Sequence, residues 1–465
     1  MIALISITVF LIYMNVPAVL VTEHGVPRPL ALLVPLLLAV PVVYRVLMRG
    51  EALRFPGMII AALLMLACHT LSALVSERPD IGLESVFSWL VEGVLLAFLL
   101  VNALRSRSEV FAAARAIVAA GALMGFLVLL QQILGPKDYG MAGFGVLSVD
   151  AENIDLVQYQ FTGPIGEQNR FAQVLAVLIP LAVGLAFTVP ARRRWLYWTA
   201  TLLIFGGVLL SFSRGALVAL VLVIPFALMF GFLRLGHLAV AAICGALLIA
   251  VMPFMIAMPY LADRVASIGE VLLSSTGLAP GGFRNADGAA RGRVTSMKAT
   301  GLLFLDHPLL GAGPGMSSEN YPEYSLLAGG KVRAESRRTH NLYLEVASET
   351  GVIGLLAFLG MLWIVLHALN DTRRRTEYSD RELWGLVCGL ELGVLVFLAT
   401  SLFLHASYVR YFWLLLAVAV AAAALPRSQT LAEFLSLNMR NAPGSLQRES
   451  SATAVAQPLT GSGSS

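Results

Sequence analysis

Runs of roughly 18 or more apolar residues recur along nearly the whole chain, separated mostly by short polar segments. A helix of that length reaches across a hydrocarbon core ~30 Å thick. The pattern predicts about twelve spans, near residues 2–20, 30–48, 57–75, 86–103, 111–133, 171–189, 195–211, 215–233, 237–257, 345–368, 383–403 and 408–425. The period-two alternation of a transmembrane barrel is missing from the sequence, so the expected fold class is all-α, a polytopic helical membrane protein. Two connections are long, 134–170 and 258–344, and the second has room for helices of its own. Spans and loops form one transmembrane domain, 1–426. A polar tail, 427–465, follows, and its ending "AVAQPLTGSGSS" has the composition of a disordered segment.

Composition sharpens this picture. The chain is 58% hydrophobic and 13% charged, about half the charged fraction of an ordinary soluble domain. The net charge of +4 is modest, and no basic patch with interleaved aromatics points to nucleic acid. Cys68, Cys244 and Cys388 all lie inside apolar runs and read as packing residues rather than disulfides or metal ligands. The first run has neither a basic leader nor a small-residue cleavage site, and reads as a retained span. Arginine and lysine set the orientation. One set of short loops holds thirteen of them (Arg45, Arg49, Arg54, Arg105, Arg107, Arg192, Arg193, Arg194, Arg234, Arg373, Arg374, Arg375 and Arg381). The opposite set, the long 258–344 loop aside, holds six: Arg28, Arg78, Lys137, Arg170, Arg214 and Arg410. The richer set is expected in the cytoplasm, which puts both termini inside and both long loops outside. No ATP or nucleotide sugar reaches that outer face, so chemistry there needs a substrate already activated, a lipid-linked one being the natural choice.

Several polar groups are costly where they stand. In "SFSRGALVAL", 211–220, Arg214 sits between two apolar runs with almost no loop. Two readings are open: a side chain snorkelling to lipid phosphates, or a planar guanidinium held for a phosphate or pyrophosphate. Arg291 and Arg293 precede a helix-like stretch ending in "DHPLLGAGPGM"; they are either solvated loop charges or further phosphate ligands. The "GAGPG" lacks the Lys-Ser/Thr of a nucleotide loop and reads as a tight turn. Arg337 and Arg338 read as solvated. His340 opens the next helix with Asn341, Tyr343, Glu345 and Glu349; it is either a structural histidine or a base whose ordinary pKa near ~6.5 suits proton abstraction from a hydroxyl. In "FTGPIGEQNRFAQ", Asn169 and Arg170 fit helix capping, lipid contact and substrate binding about equally.

Four segments, "TGPIGEQNRFA", "SFSRGALVAL", "HPLLGAGPG" after an arginine-led stretch, and "THNLYLEVASETGVIGLLAF", resemble the motifs of the bacterial O-antigen ligase/polymerase superfamily, in order from about 160 to 360. The resemblance implies an enzyme that moves O-antigen from undecaprenyl pyrophosphate to the lipid A-core oligosaccharide. The transfer would take place on the periplasmic face of the bacterial inner membrane, without cofactor, metal or ATP. It makes His340 the base and Arg214 a pyrophosphate ligand. Arg293 best fits the remaining motif arginine, with Arg291 close enough to be confused with it; Met297 stands where the family usually has a Trp. Asn169, Arg170 and Asn341 are possible substrate contacts. Attack at the anomeric carbon, in line with departure of the pyrophosphate, implies inversion.

Rival readings differ in class. An O-antigen polymerase or a protein O-oligosaccharyltransferase of the same superfamily would share the donor chemistry. A metal-dependent oligosaccharyltransferase would use outer-loop acids such as Glu77, Asp80 and Glu84, but no partner cluster has ligand spacing. A lipid-glycan transporter should bury ionisable groups near the midplane; Arg115 is the strongest candidate, and it lies near the cytoplasmic end of its span.

Overall fold

A computed structural model of the 465-residue chain describes residues 1–135, 140–150, 158–231, 288–329, 339–404 and 410–441. The elements, in chain order, are α1 (Ile2–Tyr13), α2 (Val16–Thr22), α3 (Arg28–Ala31), α4 (Leu33–Leu36), α5 (Ala39–Arg49), α6 (Gly57–Val75), α7 (Pro79–Trp89), a π-helical turn (Leu90–Leu95), α8 (Leu96–Ala103) and α9 (Arg107–Leu134). Strands β1 (Val146–Asp150) and β2 (Gln158–Gly163) follow, then α10 (Gln168–Ala176), α11 (Leu178–Ala186), α12 (Arg194–Leu210) and α13 (Arg214–Met229). The last group is α14 (Gly288–Asp306), α15 (Met316–Glu319), α16 (Tyr321–Leu327), α17 (Leu342–Thr376), α18 (Arg381–Thr400) and α19 (Arg410–Asn441).

The chain is mostly helical and multi-pass. Among the described residues, six helices are long and apolar enough to cross a membrane, or eight if two bent pairs each count as one span. The bent pairs are α1–α2, turning by 50°, and α3–α5, turning by 48°. This is fewer than the dozen spans expected. The predicted span 237–257 lies outside the described residues; α12 and α13, at 17 and 16 residues, are short for a full crossing. The first long connection is not purely irregular either: β1 and β2 form an antiparallel hairpin, an exception to the all-α expectation. In the second, α14, α15 and α16 supply the expected helices. By contacts the chain divides into a unit Met1–Ala423 and a unit Ala424–Ser465. The predicted tail boundary falls within α19, and 442–465 lie outside the described residues.

Close packing without a hydrophobic driving force needs small residues at helix contacts. Gly385, Gly389 and Gly393, four apart on α18, do this against α11 and its lead-in. A Cβ on them would stand 2.9 Å from Gly184 O, 2.8 Å from Pro180 O and 3.0 Å from Val177 O. Cys388 lies buried on the same helix and Cys68 half-buried on α6, both as free thiols.

α17 is not a straight rod. In an unbroken helix, Tyr343 and Phe358 would be separated by about 22 Å along the axis, yet their ring centroids are 6.4 Å apart. The chain turns back at Gly351, with φ 67 and ψ −170. The arm 342–350 folds against the arm 352–376, so the span begins after Gly351 rather than near 345. A broken membrane helix must re-satisfy its freed backbone groups. Here the "HPLLGAG" stretch supplies partners: Val352 N donates to Pro308 O (2.9 Å), Ala312 N to Ser348 O (2.8 Å) and Gly313 N to Glu349 O (3.1 Å). Ser72 Oγ adds a second donor to Glu349 O at 2.6 Å. The fit excludes side chains: a Cβ on Gly351 would stand 2.0 Å from Leu309 O, and one on Gly311 2.3 Å from the Glu349 carbonyl carbon. The predicted tight turn is therefore also a backbone wedge.

Candidate functional site

The fold-back sinks the start of α17 into the bundle, to the level of Phe358. Asn341 caps this helix: its Oδ1 accepts from Leu344 N at 2.9 Å. Its Nδ2 donates to Leu402 O at 3.1 Å. Leu342 N donates to Ser401 O at 3.0 Å, and the Tyr343 hydroxyl to Leu398 O at 2.9 Å. The cap is thus pinned to the end of α18. On the other side, the Thr339 and Thr300 hydroxyls meet at 2.7 Å, which ties the same segment to α14. Half-buried His340 stands between these two anchors.

The end of α18 is in turn held by α10. Gln173 Nε2 donates to Thr400 Oγ1 at 2.8 Å and to Ser401 Oγ at 3.1 Å. Nearly two turns earlier, Glu167 caps α10, its carboxylate accepting from Asn169 N at 3.0 Å and Arg170 N at 2.7 Å. A carboxylate suits the positive end of a helix. Asn169 Nδ2 donates to the same carboxylate at 3.0 Å, and its Oδ1 accepts from Ser213 Oγ at 3.0 Å. Ser213 is the residue before Arg214, at the start of α13. The turn that leads there is strained: Phe212 holds φ +55, a conformation sparsely open to a bulky residue. Ser211 Oγ accepts from Ser213 N at 3.3 Å inside that turn.

The predicted residues therefore gather. Asn169, Arg170, Arg214, His340 and Asn341 lie on three segments linked through Ser213, Gln173 and the end of α18. Arg291 and Arg293 fall in the first turns of α14, whose Thr300 joins the network. Arg337 and Arg338 lie outside the described residues. Asn169 and Asn341 brace and cap. Farther along the loop, the Tyr324 hydroxyl donates to Asp306 Oδ2 at 2.7 Å. Its pKa is pushed up to about 12, by burial first and then by that carboxylate. Asp80 is engaged by Arg78, at 3.1 and 2.9 Å.

Sequence reasoning passed over Gln173, Thr300, Thr339, Thr400, Ser401 and Ser213. The signal was present for Gln173, a polar residue one turn into an apolar run. For the hydroxyls it was not, because Ser and Thr inside a membrane helix commonly bond back to their own turn. The fold-back at Gly351 was legible only as a glycine in a span.

A family model described as O-antigen ligase matches residues 199–359, which supports the O-antigen ligase superfamily. The matched stretch includes Arg214, α14, the glycine wedge and His340, and ends one residue past Phe358. No curated protein matches the chain.

Proposed function

We propose, proceeding from residues 199–359 as a domain of the O-antigen ligase superfamily, that this membrane protein is an O-antigen ligase. It transfers O-antigen polysaccharide from undecaprenyl pyrophosphate to the lipid A-core oligosaccharide, on the periplasmic face of the inner membrane. The observation that carries this reading is the convergence of α10, α13 and the folded-back arm of α17 through neutral side chains, which gathers Arg170, Arg214 and His340 at one end of the bundle.

His340 takes the proton of the acceptor hydroxyl as its oxygen bonds to the anomeric carbon. The bond from that carbon to the pyrophosphate oxygen breaks on the opposite face, and undecaprenyl pyrophosphate leaves, so configuration inverts. Arg214, with Arg293 or Arg291, meets the negative charge growing on the leaving group, where fixed donors lower the barrier most. Asn169 and Asn341 act by position, through Ser213 and Leu402.

The test uses purified full-length protein with a lipid-linked glycan donor and lipid A-core, without ATP. Wild type transfers glycan. His340→Ala still binds donor and loses transfer by ~10²–10⁴, the worth of a positioned base. Arg214→Lys keeps the charge but not the planar fork, and loses most activity. If a second lipid-linked glycan is the only acceptor used, the protein is a polymerase. A His340→Ala protein with the wild-type rate removes the base assignment.

A further inference from the structure

α19 opens on Arg410 and Tyr411 with no acid in its first turn, so a guanidinium coincides with the positive end of a helix. Arg410 Nη2 donates to Glu92 Oε2 at 3.1 Å. Glu92 lies in the π-helical turn Leu90–Leu95, a form that often marks functional positions. Its side chain is 41% exposed on the flank of an apolar span. A carboxylate there is expensive unless it faces a polar partner, and it opens the cluster sideways, toward lipid.

Tyr411 is buried, edge-on to Tyr13 with ring centroids 5.1 Å apart. The Tyr13 hydroxyl donates to Val174 O at 2.9 Å, one turn along α10 from Arg170. Tyr411 thus stands beside the first turns of α10, and the charged groups acting on its hydroxyl are Arg410, Arg170 and Glu92. Among the described residues that hydroxyl has no hydrogen-bond partner. A buried O–H left so is costly and rare. A buried phenol O–H under the influence of two guanidinium groups is a donor suited to an anion.

We infer that Arg410 and Tyr411, with Arg170, hold the phosphoryl headgroup of a membrane lipid. Glu92 occupies Arg410 at rest and competes with the incoming phosphoryl oxygen. Two substrates of the proposed transfer carry that chemistry: the polyprenyl pyrophosphate donor and a phosphorylated lipid A acceptor. The assignment rests on the reading above for its membrane face and its lipids.

Full-length protein in phosphatidylcholine nanodiscs is titrated with undecaprenyl pyrophosphate and, separately, with bisphosphorylated lipid A. Wild type, Tyr411→Phe, Arg410→Gln and Glu92→Gln are compared, each with its thermal unfolding. Tyr411→Phe removes an unpartnered hydroxyl, so it should unfold at the wild-type temperature or above. It should nevertheless bind one of the two lipids about 10-fold more weakly, as loss of a bond to a charged group predicts. Arg410→Gln should weaken the same lipid, and Glu92→Gln should tighten it. The lipid affected identifies the source of the phosphoryl group. Unchanged binding of both lipids by Tyr411→Phe and Glu92→Gln overturns the site and leaves Tyr411 as packing. A wild type that ignores undecaprenyl pyrophosphate, yet binds lipid A in a Tyr411-dependent way, overturns the donor reading while keeping this site.

Discussion

The two ends of the bundle are held together by different balances of charged and neutral bonds. At the end where α17 finishes, elements are joined by ion pairs. Arg45 meets Glu109, and Glu51 at 3.5 Å; Arg105 meets Glu51 at 3.0 Å; Arg107 meets Asp380, and Glu382 at 3.0 Å. At the His340 end, most of the described bonds between elements are neutral: Gln173 to Thr400 and Ser401, Asn341 to Leu402, Ser213 to Asn169, Thr300 to Thr339; Arg410 to Glu92 is an ion pair. The difference teaches where charge is spent. The arginines of the first end are consumed by structure. The second end is braced mainly by neutral side chains, which suits a place where arginines are proposed to meet a substrate's phosphates. Both ends are arginine-bearing, so counting arginines sets orientation but cannot tell these uses apart.

The harshest way to break the comparison is at Gly351. An alanine there has a Cβ 2.0 Å from Leu309 O and 2.6 Å from Leu310 N. Both are backbone atoms that cannot rotate away, and φ is +67. Gly351→Ala should abolish the fold-back while the arm 352–376 still inserts. Transfer should be lost. Cysteines placed at 343 and 358, in a chain whose three native cysteines are replaced, should cross-link in the parent and fail to do so in the variant. Cross-linking at the parental rate would show that the fold-back does not need glycine.

Hydropathy made most spans legible, because a run's length and apolarity are local properties. The break in α17 was not, since its cause is a loop some forty residues away whose backbone fills the gap. Single apolar runs also hid the bends at Asn15 and in α3–α5. The candidate site was legible in its charged members, His340 and Arg214. Its neutral bracing was not, because Gln173 and Ser401 acquire meaning only when α10 and α18 are placed side by side.

A smaller effect is expected at the ion-paired end. Glu109 takes Arg45, the Arg105 N–H at 3.0 Å and the Ser106 N–H at 2.9 Å. It is also the second half of a capping box at the start of α9. Removing one partner of a buried pair costs about 3–5 kcal/mol; Glu51 still faces Arg45, which favours the low end. Glu109→Ala should therefore lower the unfolding temperature by several degrees in detergent, yet leave the transfer rate of the folded fraction at its parental value. A variant that keeps its stability and loses transfer would mean that this end takes part in the reaction.

The smallest effect isolates charge from capping at Asp380. Its Oδ1 accepts from Leu383 N at 3.0 Å, which caps α18, and its carboxylate pairs with Arg107. The Arg107 bond, its largest influence, holds the carboxyl below the ordinary value of 3.8. A depressed carboxylate adds stability that is fully present above that ordinary value and is lost as pH falls through the depressed one. Asparagine caps a helix about as well as aspartate but has no charge to lose. Asp380→Asn should cost only ~0.2–1 kcal/mol at neutral pH, because both partners are partly exposed and solvent screens them. The difference between parent and variant should shrink below about pH 4 and in 1 M salt, where the Debye length is about 3 Å. Asp380→Ala should lose about 1 kcal/mol more at every pH, the worth of the cap. Unfolding temperatures of the three proteins from pH 3 to 7, at low and high salt, decide the matter. A parent–Asn difference that stays constant with pH would mean that the Arg107 pair adds nothing, and that Asp380 is there only to cap α18.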